Sequence, residues 1–454
     1  MRLKSVNPFS GEINKEFDAY TFEACEDAVT RGKKAFAHWK KVPVSERVKP
    51  LEKLASILRA RKGEFARIIT REMGKPIRQA NAEIEKCAVA CDYYRGNSEA
   101  FLQDEIIPTG AARSFVSFEP LGVILGIEPW NFPFWQVVRW AAPTLAAGNV
   151  CILKHASNVP ITALEIEKLF YEAGFPENAL QSLLIGAETT ERLIAREGID
   201  GISLTGSVGA GASVAAVAGR HLRKCVLELG GSDPYMVLED ADLEKAARSA
   251  VTARMTNAGQ SCISAKRIIV MESLADAFLD RFMEGLNGLK IGDPMDEATD
   301  MGPVAKQDSL DTLLKQLEDA EKKGAAVHRG PVPPDRGLFF RPVVITNVTP
   351  DMKVAREEVF GPMAVIITAK DRDEMIRIAN NTEFGLGAAI WSRDVDRAEE
   401  MAKDIDAGFV AINAVVKSVT PLPFGGVKKS GFGRELSRYG LKEFVNVKSK
   451  IIGK

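Results

Sequence analysis

The spacing of apolar positions changes character along the chain. Residues 20–100 carry them at intervals near 3.6, as in TFEACEDAVTRGKKAFAHWKK, and Thr21 is placed to cap the first helix. At SFVSFEPLGVILGIEP the pattern alternates and then closes into a β-branched run, which predicts strands, the later one buried. Strands then alternate with helices: strands at 122–128, 149–154, 181–185, 200–204 and 224–228, helices at 133–147, 160–174, 188–197 and 210–222. Parallel strands need such crossovers, so the rhythm predicts a parallel sheet with helical connections. A second α/β set follows ELGGSDPYMVLEDADLEKAA. It holds helices at 241–257, 273–287, 306–324 and 371–380, and strands at 266–271, 363–368 and 386–391. RGPVPPDRG reads as a surface turn.

Composition narrows the function classes. A chain of 454 residues with 46% hydrophobic content predicts two or three domains with large cores. Sixty basic against 61 acidic residues leave a net charge of −1, which argues against a nucleic-acid or membrane-surface protein. No apolar run approaches the ~20 residues that span a bilayer, and the N-terminus has no apolar signal core. These features predict a soluble, cytoplasmic protein. The six cysteines are then expected to be reduced, with Cys87 and Cys91 sharing one buried helix face. The four histidines are scattered, and no metal site is expected.

Few stretches can carry chemistry. SLTGSVGAGAS sets Gly206, Ser207 and Gly211 in a turn between a strand and a helix, where free N–H groups suit a phosphate. The spacing is not G-x-G-x-x-G, and glycine in such turns is often geometric. Glu228 ends a buried strand, at the sheet edge where α/β ligands sit or as a solvated strand end. Asn131, between Trp130 and Phe132, could aim its amide at a developing oxyanion or satisfy a buried neighbour. Cys262, in NAGQSCISAKR, is either an inert packed thiol or a nucleophile whose small polar neighbours let a ligand approach.

Taken in order, PWNFP, LTGS, LELGG, NAGQSC, EEVFGP and PFGGVKKSGFGRE resemble the NAD(P)-dependent aldehyde dehydrogenase superfamily over essentially the whole chain. The resemblance implies an α/β fold with a modified Rossmann cofactor domain (1–100 and 121–230), an α/β catalytic domain (231–428) and a β-ribbon oligomerisation element (101–120 and 429–454). A homodimer or homotetramer follows from it. It also implies roles. Cys262 is the nucleophile, Glu228 the general base and Asn131 the oxyanion donor. Lys154 binds the adenosine ribose, Ser157 can donate to a 2′-phosphate, and Ser207 contacts the pyrophosphate in the turn bracketed by Gly206 and Gly211. Trp130, Leu229, Glu358 and Phe360 complete the cofactor site.

The implied chemistry is oxidation of an aldehyde to an acid through a cysteine thiohemiacetal and thioester, with NADP or NAD as cofactor. The chain is similar to short bacterial succinate-semialdehyde dehydrogenases, which implies a carboxylate-bearing aldehyde met by Arg139, Lys417 and Ser418. Arg139 could instead form a structural ion pair. A second arginine of many such enzymes is Thr256 here. NAD-preferring relatives carry a glutamate at the position of Ser157, so NADP is expected to be accepted at least as readily as NAD. Ser157 could alternatively cap the helix at 160–174. A CoA-acylating enzyme would lack Glu228, a non-catalytic relative would lack Cys262, Glu228 or Asn131, and a thiol hydrolase has only His221 as partner. An uncharged short aldehyde remains the alternative substrate.

Overall fold

The computed structural model describes residues 2–454. Strand Val123–Glu128 lies between Val150–His155 and Gly201–Thr205, with Leu180–Ser182 beyond the former and Lys224–Glu228 beyond the latter. All five run parallel. Their β-branched and leucine side chains are buried on both faces, as an all-parallel sheet requires. The N-terminal helices, among them Lys49–Ala60, Lys62–Met73 and Ile77–Phe101, share this core through Leu54, Phe65, Ile69, Ile84, Cys87 and Cys91. Thr21 caps the first helix by accepting from the Ala24 N–H.

The second sheet runs Ala326–Arg329, Val343–Thr346, Met363–Ala369, Arg267–Met271, Pro234–Val237, Gly387–Trp391 and Phe409–Ile412. Only the first of these is antiparallel to its neighbour. Pro234–Val237, Val343–Thr346 and Phe409–Ile412 are four-residue strands, too short to show a periodicity in the sequence. The ribbon expected from 101–120 and the C-terminus forms within the chain. Val445–Ile452 pairs antiparallel with Arg113–Pro120, which also pairs with Glu105–Ile106.

Several expected boundaries move for physical reasons. Gly431–Phe432 lies beside Lys224–Glu228 in the cofactor sheet, so the segment 429–454 is divided between that sheet and the ribbon. The helix expected at 210–222 starts at Val208, because Ser207 caps it by accepting from the Ala210 N–H. The helix expected at 241–257 ends at Met255, where the chain turns into a short 3-10 segment, Thr256–Gly259. Among the described residues no helix is long and apolar enough to cross a membrane.

Candidate active site

The parallel strands of the cofactor sheet all end on one side, where Glu128, His155, Thr205 and Glu228 are strand-terminal residues. That edge of an open α/β sheet is where ligands bind. The Cys262 loop faces it, and its backbone is forced. Asn257, Ala258 and Gly259 take left-handed φ values of 56°, 52° and 72° in succession. At Gly259 a Cβ would stand 2.2 Å from the Gly361 carbonyl oxygen, so only glycine fits. Such strain persists only where the surroundings over-determine it, and here they do. The Asn257 N–H donates to Gln79 Oε1 (2.8 Å), and its Nδ2 donates to the carbonyls of Asn131 (2.9 Å) and Gln260 (3.1 Å). Gln260 returns a bond to Asn257 O and accepts from the Ala305 N–H.

The same network holds Asn131. Its Nδ2 donates to Gln260 O at 3.2 Å, and its Oδ1 is buried without a partner. The segment after it is fixed from below by Glu83, whose Oε1 accepts from the N–H groups of Phe134 and Trp135 at the start of helix Pro133–Ala146. Glu83 is in turn paired with Lys75, and both are buried. Lys266 ties the other side, donating to Cys262 O (2.6 Å) and to Glu358 Oε1 (2.8 Å). Burial pushes the Cys262 thiol up to about 11, while Lys266 and Arg139 pull it down. The residue as a whole is half-buried.

Glu228 is buried, and neither carboxylate oxygen has a hydrogen-bond partner. Burial and the nearby Glu435 carboxylate hold it well above the usual carboxylate range, with Arg139 opposing them. A buried, unpartnered carboxyl at a strand end is a candidate base. A Cβ at Gly425 would approach Glu228 Oε1 to 2.6 Å, so glycine there leaves the carboxyl its room.

A cleft of about 430 Å³ lies between helices Ala187–Ala195 and Val208–Arg220, and of the candidate cofactor residues Lys154 lines its wall. Burial lowers the Lys154 pKa. Ser157 is exposed and does not cap the following helix. The helix cap is Val159, and the N–H groups of Ile161 and Thr162 donate to the Glu72 carboxylate instead. His155 faces inward, its Nε2 against Pro133 O (2.9 Å), and its Nδ1 accepts from the Ala156 N–H. Ser207 and Gly206 sit at the open N-terminus of helix Val208–Arg220. Gly211 lies in the first turn of the same helix. A Cβ there would meet Leu229 Cδ1 at 2.5 Å, so this glycine serves helix-to-strand packing. Glu358 Oε1 accepts from Lys266 and from the Gly231 N–H (3.2 Å). Phe360 packs edge-on against Trp130, 5.8 Å between centroids.

The substrate residues need one correction. Arg139 is buried and ion-paired with Glu435, and it donates to Thr205 Oγ1 at 3.1 Å. Its charge is committed inside the protein, as in the structural ion pair that the sequence left open. Lys417 is exposed. Ser418 is buried and accepts a 2.6 Å bond from Lys86.

A sequence model of the aldehyde dehydrogenase family matches residues 1–450. The chain belongs to the aldehyde dehydrogenase family. It is 46% identical over 450 residues, 99% of both chains, to a probable NADP(+) succinate-semialdehyde dehydrogenase of Synechocystis. It is 44% identical to the NADP(+) succinate-semialdehyde dehydrogenase of Deinococcus radiodurans, covering 98% of this chain and 93% of that one. Among solved structures, succinic semialdehyde dehydrogenase from Streptococcus pyogenes in complex with NADP+ superposes at a TM-score of 0.97, with 35% identity and full coverage of both chains.

Sequence reading of this aldehyde dehydrogenase missed the residues that position the others. Asn257 and Gln260 lie inside the NAGQSC motif and could have been suspected from it. Gln79, Glu83, Lys86 and Lys266 left no such signal, because nothing in their local spacing distinguishes them from helix-surface or loop residues. Arg254 is of this kind too. Its guanidinium donates to the carbonyls of Met363 (2.9 Å) and Val359 (2.8 Å) and to Ser264 Oγ (2.7 Å), which locks the Glu358–Phe360 segment beside the Cys262 loop.

Proposed function

We propose that this aldehyde dehydrogenase oxidises succinate semialdehyde to succinate with NADP. The observation that carries the chemistry is the joining of the Cys262 and Asn131 loops by Asn257, with a buried, unpartnered Glu228 at the neighbouring strand end. Cys262 Sγ bonds to the aldehyde carbon, and the carbonyl oxygen becomes an oxyanion. The Asn131 amide and the Cys262 N–H serve as its donors, an effect worth about 3–4 kcal/mol per donor. A nicotinamide cofactor supplies the hydride acceptor. Glu228 takes a proton from the water that attacks the thioester on Cys262, releasing the acid and restoring the thiolate.

The cofactor fits the residues present. The cleft beside Lys154 lies between two helices, and the N-terminus of Val208–Arg220 opens beside Gly206 and Ser207. Glu358 Oε2 has no bonded partner and can accept from a ribose hydroxyl, whereas Oε1 is held by Lys266 and Gly231. Ser157 is free to donate to a 2′-phosphate, with Lys154 as its neighbouring cation. The named functions of the Synechocystis and Deinococcus relatives support both NADP and succinate semialdehyde. Assembly through the ribbon edge into dimers or tetramers is supported by its exposed Val447 (61%) and Ile451 (71%). The test is kcat/KM for succinate semialdehyde and butanal, each with NADP and NAD. A preference for succinate semialdehyde with NADP is expected. Equal values for the two aldehydes overturn the substrate, and a tenfold preference for NAD overturns the cofactor.

A further inference from the structure

We propose that Lys86, held between Trp135 and Ser418, is the cation that receives the distal carboxylate of the aldehyde. The inference rests on the reading that the substrate bears a carboxylate. Lys86 lies on helix Ile77–Phe101 and Trp135 on helix Pro133–Ala146, so two elements build the site around the Ser418 loop. The ammonium stands 4.0 Å from the centroid of the Trp135 ring and donates to Ser418 Oγ at 2.6 Å. The indole Nε1 of Trp135 is a second donor, buried and without an acceptor.

The charge balance around Cys262 singles Lys86 out. Lys75 is paired with Glu83, Arg139 with Glu435 and Lys266 with Glu358. Lys86 has a hydroxyl and an aromatic face, and no carboxylate. A cation drawn out of water without an anion is unfavourable, and an arriving carboxylate removes that cost. Burial and the like charge of Arg139 push the ammonium down to about 7, against Cys87, Glu83 and Cys262, which pull it up. Trp135 follows Asn131 by four residues at the start of helix Pro133–Ala146, so the Lys86 ammonium rests on the segment that also carries the oxyanion donor. Ser418 then orients the ammonium by taking one of its three protons.

The experiment compares wild type, Lys86→Met and Lys86→Arg with succinate semialdehyde and with butanal. Lys86→Met keeps an unbranched chain on Trp135 and removes the charge. Its ratio of kcat/KM for succinate semialdehyde over butanal is expected to fall about 10- to 100-fold, mainly through KM. Lys86→Arg is expected to restore part of that ratio. In wild type the ratio should also decline as pH rises through about 7, because the ammonium loses its proton, and in Lys86→Met this decline should vanish. An equal loss with both aldehydes, or an unchanged ratio in Lys86→Met, overturns the proposal. If wild type itself does not distinguish the two aldehydes, the carboxylate-bearing substrate fails first, and Lys86 with it.

Discussion

The loop that carries Cys262 is tied to its surroundings by side-chain hydrogen bonds, with the unpartnered Glu228 carboxyl beside it. Asn257 bonds to Asn131, Gln260 and Gln79, Gln260 to Ala305, and Lys266 to Glu358 and the Cys262 carbonyl. At the rim of the cofactor cleft the reverse holds. Ser157 is exposed with no cap to make, and the Lys154 wall is open. The tied region meets a transition state, whose charge develops within a fraction of an ångström of fixed donors. Preorganisation is what lowers that barrier. The open region meets a large ligand that brings its own hydrogen bonds and charge, so uncommitted groups are the useful ones. Substitutions in the first region are therefore expected to change kcat, and those in the second to change cofactor choice.

The largest effects test the tied region. Cys262→Ala should reduce turnover on the order of 10⁴-fold or more. Glu228→Gln should leave a burst of reduced cofactor followed by a steady rate about 10²- to 10⁴-fold lower. Because the Glu228 carboxyl is held well above its ordinary range, and only its ionised form accepts a proton, steady-state turnover of wild type should keep rising with pH above the ordinary carboxylate range. A flat profile with an intact burst would remove Glu228 as the base. Asn131→Ala should lower kcat by about 10²- to 10³-fold, with near-native Tm if the amide acts on the oxyanion alone.

Asn257→Ala breaks the joint between the two loops. It removes two buried hydrogen bonds and puts alanine at a φ of 56°. Stability should fall by roughly 2–4 kcal/mol, read by denaturant titration, and kcat should fall with it. A normal kcat in a destabilised variant would show that the joint serves the fold and not the site.

At the open rim the effects are smaller and selective. Ser157→Glu should lower kcat/KM for NADP by about tenfold or more and leave NAD use intact or improved. Two like charges ~4 Å apart repel by about 4 kcal/mol at an effective dielectric of 20, reduced here by solvent at an exposed position. Loss of both cofactors alike would break the contrast between the regions. The smallest effect lies between them. Lys266→Met removes a charge that opposes the burial raising the Cys262 pKa, so alkylation of Cys262 by iodoacetamide should slow several-fold at pH 8. An unchanged rate would place the control of Cys262 elsewhere.

The sequence by itself determined the parallel cofactor sheet, since runs such as GVILGIE bury both faces whatever surrounds them. It also offered Asn131, Glu228 and Cys262 as candidates for the site, through the motifs that carry the family resemblance. Only the tertiary structure decided which charges are committed. Arg139 and Lys266 each meet a glutamate from a distant segment, Lys75 meets Glu83 eight residues on, and Lys86 meets none. It likewise decided that Glu72, not Ser157, holds the start of helix Pro160–Glu172, and that Gly211 is there for Leu229. The physical reason is range. Periodicity and turn chemistry act over a few residues and are written locally, whereas ion pairs, caps borrowed from another helix and close backbone approaches depend on which segments the folded core brings together.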